Sequence, residues 1–262
     1  IRMVDIGKPD PQADYQFGTS VWPEKNTEET IDEVLAQVSL ASGQKECFNN
    51  PVVEGSYFKE IRWGECPPIG KLKYIVSYGD PAPSNTTGKK AKKNSFKANF
   101  LMGLYEGTLY VYTGYLRHVT NDEFVNWYYY QRDYVRERTQ QRNYPFYQQV
   151  FVPLFLAKGK EKGHYISISP DGRDKPDKFV RIEGNLEPLN RAGRLVFNIR
   201  EKDNPDMQRL EEQFRLFDDG LPAPADGPDA IEGGYYMCQQ LNAHMEAGSY
   251  WIGRRPHNKK RM

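Results

Sequence analysis

Three aspartates define the chemistry that this sequence can support. Asp80 closes KLKYIVSYGD, a run of β-formers that breaks at Pro81 into a Pro/Asn/Gly-rich loop, so its carboxylate stands at the end of a strand. Asp226 and Asp229 lie three residues apart in DGPDAIEGGYYMC, a spacing that sets both on one face of a helix. Carboxylate oxygens suit hard divalent ions such as Mg²⁺ or Mn²⁺, and no His/Cys cluster of zinc type is present. Two such ions about 3.5–4 Å apart stabilise the attacking and leaving oxygens of phosphodiester hydrolysis. Asp80, Asp226 and Asp229 are therefore candidate metal ligands and catalytic groups. Each also has a plainer reading. Asp80 suits a turn ahead of Pro81, and an aspartate beside Pro228 suits a helix start, where the dipole favours negative charge. Glu137 in YVRERTQQRN is the candidate for a third position between them; its plainer reading is a solvated helix glutamate beside Arg136 and Arg138.

The elements that must position these acids follow from pattern. KLKYIVSYGD, SFKANFLMGLYEG and TLYVYTGYLRHV form three strands joined as an antiparallel meander, with Gly107 making a tight turn. TNDEFVNWYYYQRDYV predicts a helix with a cap signal at Thr120/Asp122 and apolar residues Phe124, Trp127, Tyr128 and Tyr134 at helical spacing. This spacing makes WYYY a core segment. PFYQQVFVPLFLAKG reads as a buried helix bent at Pro153, and HYISISP and RLVFNI as short strands. NPDMQRLEEQFRLF is a helix capped by Asn204, with Pro205 in its first turn and an apolar stripe of Met207, Leu210, Phe214 and Phe217. The last helix carries Asp226 and Asp229, and Ala230, Gly233 and Gly234 give it a small-residue side that permits close approach to a sheet. Earlier in the chain, NTEETIDEVLAQVSLASG predicts a short helix capped at Asn26 or Thr27. The sum is an α/β arrangement around a mixed sheet.

The 262 residues allow one substantial domain with an appendage. With 13% aromatic residues, 18 Tyr and 13 Phe among them, the chain has the mass for a core, which excludes a disordered protein. A net charge of +1 makes any attraction to nucleic acid a matter of local patches. Cys47, Cys66 and Cys238 are odd in number, scattered and free of any CxxC pair, which suits a reducing compartment and points to the cytoplasm. No apolar run approaches the roughly 20 residues of a membrane span, so no membrane partner is expected.

The ordered motifs WPEKNTEETIDEV, ECFNNPVVEGSYFKEI, YIVSYGDPAPSN, KPDKFVRIEGNLEPLNRAGRLVFN and DGPDAIEGGYYMC resemble the C-terminal nuclease domain of phage and prophage large terminases, from about Trp22 to Leu241. The resemblance implies an RNase H-like mixed β-sheet flanked by helices. It also implies an endonuclease that uses two Mg²⁺ or Mn²⁺ ions to cut concatemeric double-stranded DNA with little sequence specificity, leaving 3′-hydroxyl and 5′-phosphate ends. Asp80 matches its first acidic motif, and Asp229 with Asp226 its last. The middle acid belongs on a fourth strand, and the apolar strand expected ahead of PFYQQV is missing or much eroded here.

On this resemblance, residues 1–67 are a connecting segment (the tail of an ATPase motor and its linker), 68–250 the nuclease domain and 251–262 a basic tail. No G-x-x-x-x-G-K-[ST] loop occurs, and TTGKKAKK lacks both its first glycine and the hydroxyl after the lysine, so no ATP hydrolysis is expected. Double-stranded DNA, a portal protein and a small terminase subunit are the implied partners, in the host-cell cytoplasm. Lys89, Lys90, Lys92 and Lys93 follow Asp80 on the side where a DNA backbone would run, with a solvated loop as their plainer reading. Lys175, Lys178 and Arg181 form a second basic cluster, and the resemblance sets it near the DNA groove. The tail residues Arg254, Arg255, Lys259, Lys260 and Arg261 read as a solubilising terminus ahead of a DNA or portal contact. His118 and His164 have no nucleophile partner and receive no role. Two rival readings remain: an RNase H-fold DNA-binding packaging module with impaired catalysis, and a resolvase- or transposase-type nuclease.

Overall fold

The computed structural model describes residues 4–5, 19–20, 22–27, 30, 57–82, 96–139, 143–147, 152–218 and 224–248. Val4–Asp5 (β1) and Thr19–Ser20 (β2) pair antiparallel in a small ribbon of their own. The other strands form one seven-stranded sheet. They are Arg62–Gly64 (β3), Ile75–Asp80 (β4), Lys97–Tyr105 (β5), Thr108–Arg117 (β6), Asn143–Tyr147 (β7), Ser169–Pro170 (β8) and Leu195–Asn198 (β9). Their order is β3-β9-β6-β5-β4-β7-β8. β5 runs antiparallel to both β4 and β6, whereas the β4–β7, β7–β8, β6–β9 and β9–β3 pairs are parallel. The five central strands, β6-β5-β4-β7-β8, thus have the RNase H-like arrangement, and β9 and β3 extend it past β6.

Five helices follow the strands: Asn121–Arg138 (α1), Val152–Lys162 (α2), Lys178–Arg191 (α3), Pro205–Arg215 (α4) and Asp226–Gly248 (α5). Thr120 caps α1 by accepting from the Glu123 amide, Asp177 caps α3 from Val180, and Asn204 caps α4 from Asp206. Thr27 Oγ1 accepts from the Thr30 amide, the capping bond expected for the first helix; the rest of that helix lies outside the described residues.

Strand alternation sorts β4 between two layers. Ile75 packs with Leu101, Tyr112 and Val135 on the α1 side, where Ser77 hydrogen-bonds Gln131 of α1 and Gly79 lies under Phe124 and Tyr128. Val76 and Tyr78 face the other way, into the core shared with Phe100, Met102, Leu210, Phe214, Ala230 and Ile231. Asp80 continues that second set, so the alternation directs it to the side covered by α5.

Several expectations need correction. The fourth strand is the start of PFYQQV itself, read above as helix: Asn143–Tyr147 pairs in parallel with β4, Ile75 opposite Asn143 through Tyr78 opposite Phe146. Pro145 and the dense aromatics hide it from a hydrophobicity pattern. Pro153 is the second residue of α2, where a missing amide costs no helical bond, and it marks a start instead of a bend. HYISISP contributes only Ser169–Pro170, and the segment after it forms helix α3, which its Gly184 and Pro188 disguise. The boundary expected at residue 67 falls inside the packed unit. Phe58 is fully buried against Phe214 and Phe217, Ile61 joins the same core, and β3 pairs with β9. The basic tail 251–262 lies outside the described residues.

β5 and β6 are joined by Glu106–Gly107, two exposed residues at φ 48° and 75°. A two-residue turn with both positions left-handed matches the twist of the strands it connects, and glycine adopts it without strain.

Candidate functional site

Asp80 ends β4 opposite Ala98 of β5, and the amide of Phe96, just before β5, donates to Asp226 Oδ2 at 2.8 Å. That bond ties the start of α5 to the strand beside Asp80. The helix start is held from below by Gln213, whose Oε1 accepts from the Gly227 amide at 2.7 Å. The small-residue side of α5 then lets it lie against the sheet: a methyl group at Gly233 would stand 2.2 Å from Tyr78 Cζ. Ala230 is fully buried on the same helix. The acids read from the two ends of the sequence thereby come into one electrostatic environment. The Asp80 carboxyl is pushed up to about 7, first by burial and then by the charges of Asp229 and Asp226, with Lys178 and Lys175 pulling it back.

The helix acids are held by cations. Lys178 Nζ is 3.2 Å from Asp226 Oδ1 and 3.6 Å from Asp229 Oδ2. Burial alone would lower its pKa, but Asp226, Asp229 and Asp80 outweigh burial and raise it, so it stays an ammonium. Arg181 reaches Asp229 Oδ1 at 2.6 Å and also pairs with Glu232. Glu232, fully buried one turn beyond Asp229, takes a two-pronged contact from Arg173 at 2.9 and 2.7 Å and a bond from Asn185 at 2.9 Å. Arg173 and Lys175 also pair with Asp171, which accepts from the Tyr78 hydroxyl at 2.5 Å. Asp171, Asp226, Asp229 and Glu232 are thus matched in number by Arg173, Lys175, Lys178 and Arg181. Asp80 stands outside this lattice, with no cation among the described residues within ion-pairing distance.

The sequence-derived candidates divide accordingly. Asp80, Asp226 and Asp229 converge. Glu137 does not: it sits exposed in the last turn of α1, paired with Arg138 at 3.3 Å. α1 runs antiparallel to β4, with Phe124 and Tyr128 over Gly79 and Val135 beside Ile75, which leaves Glu137 at the opposite end of the strand from Asp80. No acid lies anywhere on β7, since Asn143–Tyr147 reads NYPFY and the chain continues with Gln148 and Gln149. Arg181 is buried with its guanidinium committed to Asp229 and Glu232, so it orients acids and is not free to reach DNA. Lys178 points into the acidic group, 40% exposed. Lys89, Lys90, Lys92 and Lys93 lie outside the described residues.

Sequence reasoning missed Glu232, Arg173, Asp171 and Lys97. Extending the three-residue period of Asp226 and Asp229 by one step would have found Glu232. Lys97 lies beside the site, buried, its Nζ donating to the Ala82 carbonyl at 2.7 Å. Burial pushes it down to about 8 against the pull of Asp80. Among the described residues no three His, Cys, Asp or Glu side chains form a ready-made metal cage.

Neither a protein-family model nor a curated protein matches this sequence. Solved structures do. The nuclease domain of the large terminase of bacteriophage SPP1, with bound Mn, is 14% identical, matches 71% of this chain and 99% of its own, and gives a TM-score of 0.45. The P22 large terminase nuclease domain is 17% identical (71% and 94% covered, TM-score 0.44). The human cytomegalovirus terminase nuclease domain is 12% identical (71% and 94%, TM-score 0.48). These are likenesses of fold. Among the described residues no helix is long and apolar enough to cross a membrane.

Proposed function

We propose that this chain is the nuclease part of a viral DNA-packaging terminase, a divalent-metal-dependent endonuclease acting on double-stranded DNA. One observation carries the reading: Asp80, at the end of the central strand, shares its surroundings with Asp226 and Asp229 at the start of α5. An acid that is desolvated, faces two further carboxylates and has no ion-paired cation among the described residues calls for a cation of its own. Three carboxylates are a hard-oxygen donor set of the kind Mg²⁺ or Mn²⁺ prefers. Asp80, Asp226 and Asp229 would hold the ion, which would supply charge stabilisation to a reacting phosphate. β4 and the Phe96 contact keep the first two acids fixed, and Arg181 orients the third. In the reaction a water oxygen bonds to phosphorus as the bond to the 3′ oxygen breaks. The water proton ends on that oxygen, giving 3′-hydroxyl and 5′-phosphate ends. In the packaging machine the partners would be the portal and the small terminase subunit, in the host cytoplasm.

A nicking assay on supercoiled plasmid with Mn²⁺ tests this. Wild type should cut and Asp80→Ala should lose about 10²–10³-fold, the worth of several kcal/mol of charge stabilisation. Equal cutting by both proteins would reject the site. The absence of an acid from β7 favours one other reading, an RNase H-fold packaging module that binds DNA without cutting it. Under that reading the wild type itself is inert in the assay.

A further inference from the structure

We infer that the site takes one divalent ion and that the ammonium of Lys178 fills the role of a second; this rests on the nuclease reading above. Two divalent ions need carboxylates on both sides of the reacting phosphate. Here β7, the strand beside β4, carries none from Asn143 to Tyr147, and Glu137 lies at the far end of β4. What stands against the acids instead is Lys178, 3.2 Å from Asp226 and 3.6 Å from Asp229.

Charge supports the same count. The four acids of the ion-paired lattice are matched one for one by Lys175, Lys178, Arg173 and Arg181, and Lys97 lies beside the fifth, Asp80, so the described residues leave no surplus of carboxylate charge for a second ion. A second ion would add two uncompensated positive charges to a largely desolvated site, at a cost that no further carboxylate among the described residues offsets. Donor capacity agrees. A carboxylate has about four lone-pair sites. Asp226 gives some to Phe96 and Lys178, and Asp229 gives some to Arg181 and Lys178, which leaves room for one ion beside the ammonium. Lys178 is anchored at the first turn of α3, directly after the Asp177 cap, and is 40% exposed, so it is fixed at its base and open to a phosphate on its outer side. A lysine committed this way acts on the scissile group, where the sequence alone suggested a contact along the DNA groove.

Counting Mn²⁺ bound to the full chain by calorimetry and electron paramagnetic resonance, without DNA, tests the inference. Wild type should bind one ion. Lys178→Met should still bind one, about tenfold more tightly because a cation has left its side, yet cut plasmid about 100-fold more slowly. Lys178→Arg should recover part of that loss. Lys178→Glu, which supplies the missing carboxylate, should bind two. Two ions on the wild type, together with Asp80-dependent cutting, would overturn the inference and leave the nuclease reading standing. Undiminished cutting by Lys178→Met would do the same. A wild-type chain that binds no Mn²⁺ would overturn both. The wild-type count stands whether or not a variant folds.

Discussion

At the level of single residues, burial raises the Asp80 carboxyl and lowers His118, and for His118 the penalty falls in acid. The His118 ring stacks on Phe96 at 4.0 Å, and its pKa is pushed down to about 4 by burial, then by Arg209 and Lys97. In the unfolded chain it titrates near 6.5. As pH falls from about 6.5 to about 4, the unfolded state takes up a proton that the folded state refuses, so stability present above pH 6.5 is lost across that window. Solvent screening of the partly exposed ring reduces the loss attributable to this residue to about 1–2 kcal/mol. Urea titrations of wild type and His118→Gln at pH 7 and pH 4.5 measure it: the variant should show a smaller drop between the two pH values, and identical drops would contradict the assignment.

At the level of elements, the contact between α5 and β4 governs the site. Gly233 lies against the ring of Tyr78, which cannot swing aside because its hydroxyl is bound to Asp171 and Lys175. Gly233→Ala should push the helix outward, cost about 1–3 kcal/mol as an overpacked core does, and weaken Mn²⁺ binding, although residue 233 touches no ion. Unchanged affinity and melting temperature would mean that the helix has room to spare. The small-residue side of this helix was legible in the sequence, as were β4, β5, β6 and α4, because each has a clean period and clear punctuation. β7 was not: its pattern is aromatic with a central proline, and only its pairing with β4 makes it a strand. α3 escaped for the opposite reason, since Gly184 and Pro188 break a helical pattern that its Asp177 cap and its packing through Ile182 and Leu186 restore. The outer acids of the site could be read because strand ends and helix starts are marked locally. The cations that hold them could not, since nothing local says that Lys178 and Arg181 turn inward.

For the whole molecule, the folded unit begins earlier than composition suggests. β3 closes the edge of the sheet beside β9, Trp63 Nε1 donates to Glu211 of α4 at 3.1 Å, and Asn190 of α3 binds the Glu60 carbonyl at 3.0 Å. A chain starting at Pro68 loses these and leaves the cavity of Phe58, worth about 3–5 kcal/mol by itself, out of a total of about 5–15 kcal/mol. Its thermal midpoint by circular dichroism should fall by about 10 °C or more relative to the full chain, and equal midpoints would return the boundary to residue 67. The opposite pole of the sheet has the reverse character. The Glu106–Gly107 turn begins eight residues on from Ala98, the partner of Asp80, which is about 27 Å at strand spacing. On the proposed nuclease reading, a dye or bead tethered at this tip would ride outside the acidic end, so the protein's position on a duplex could be tracked while the acids stay uncovered.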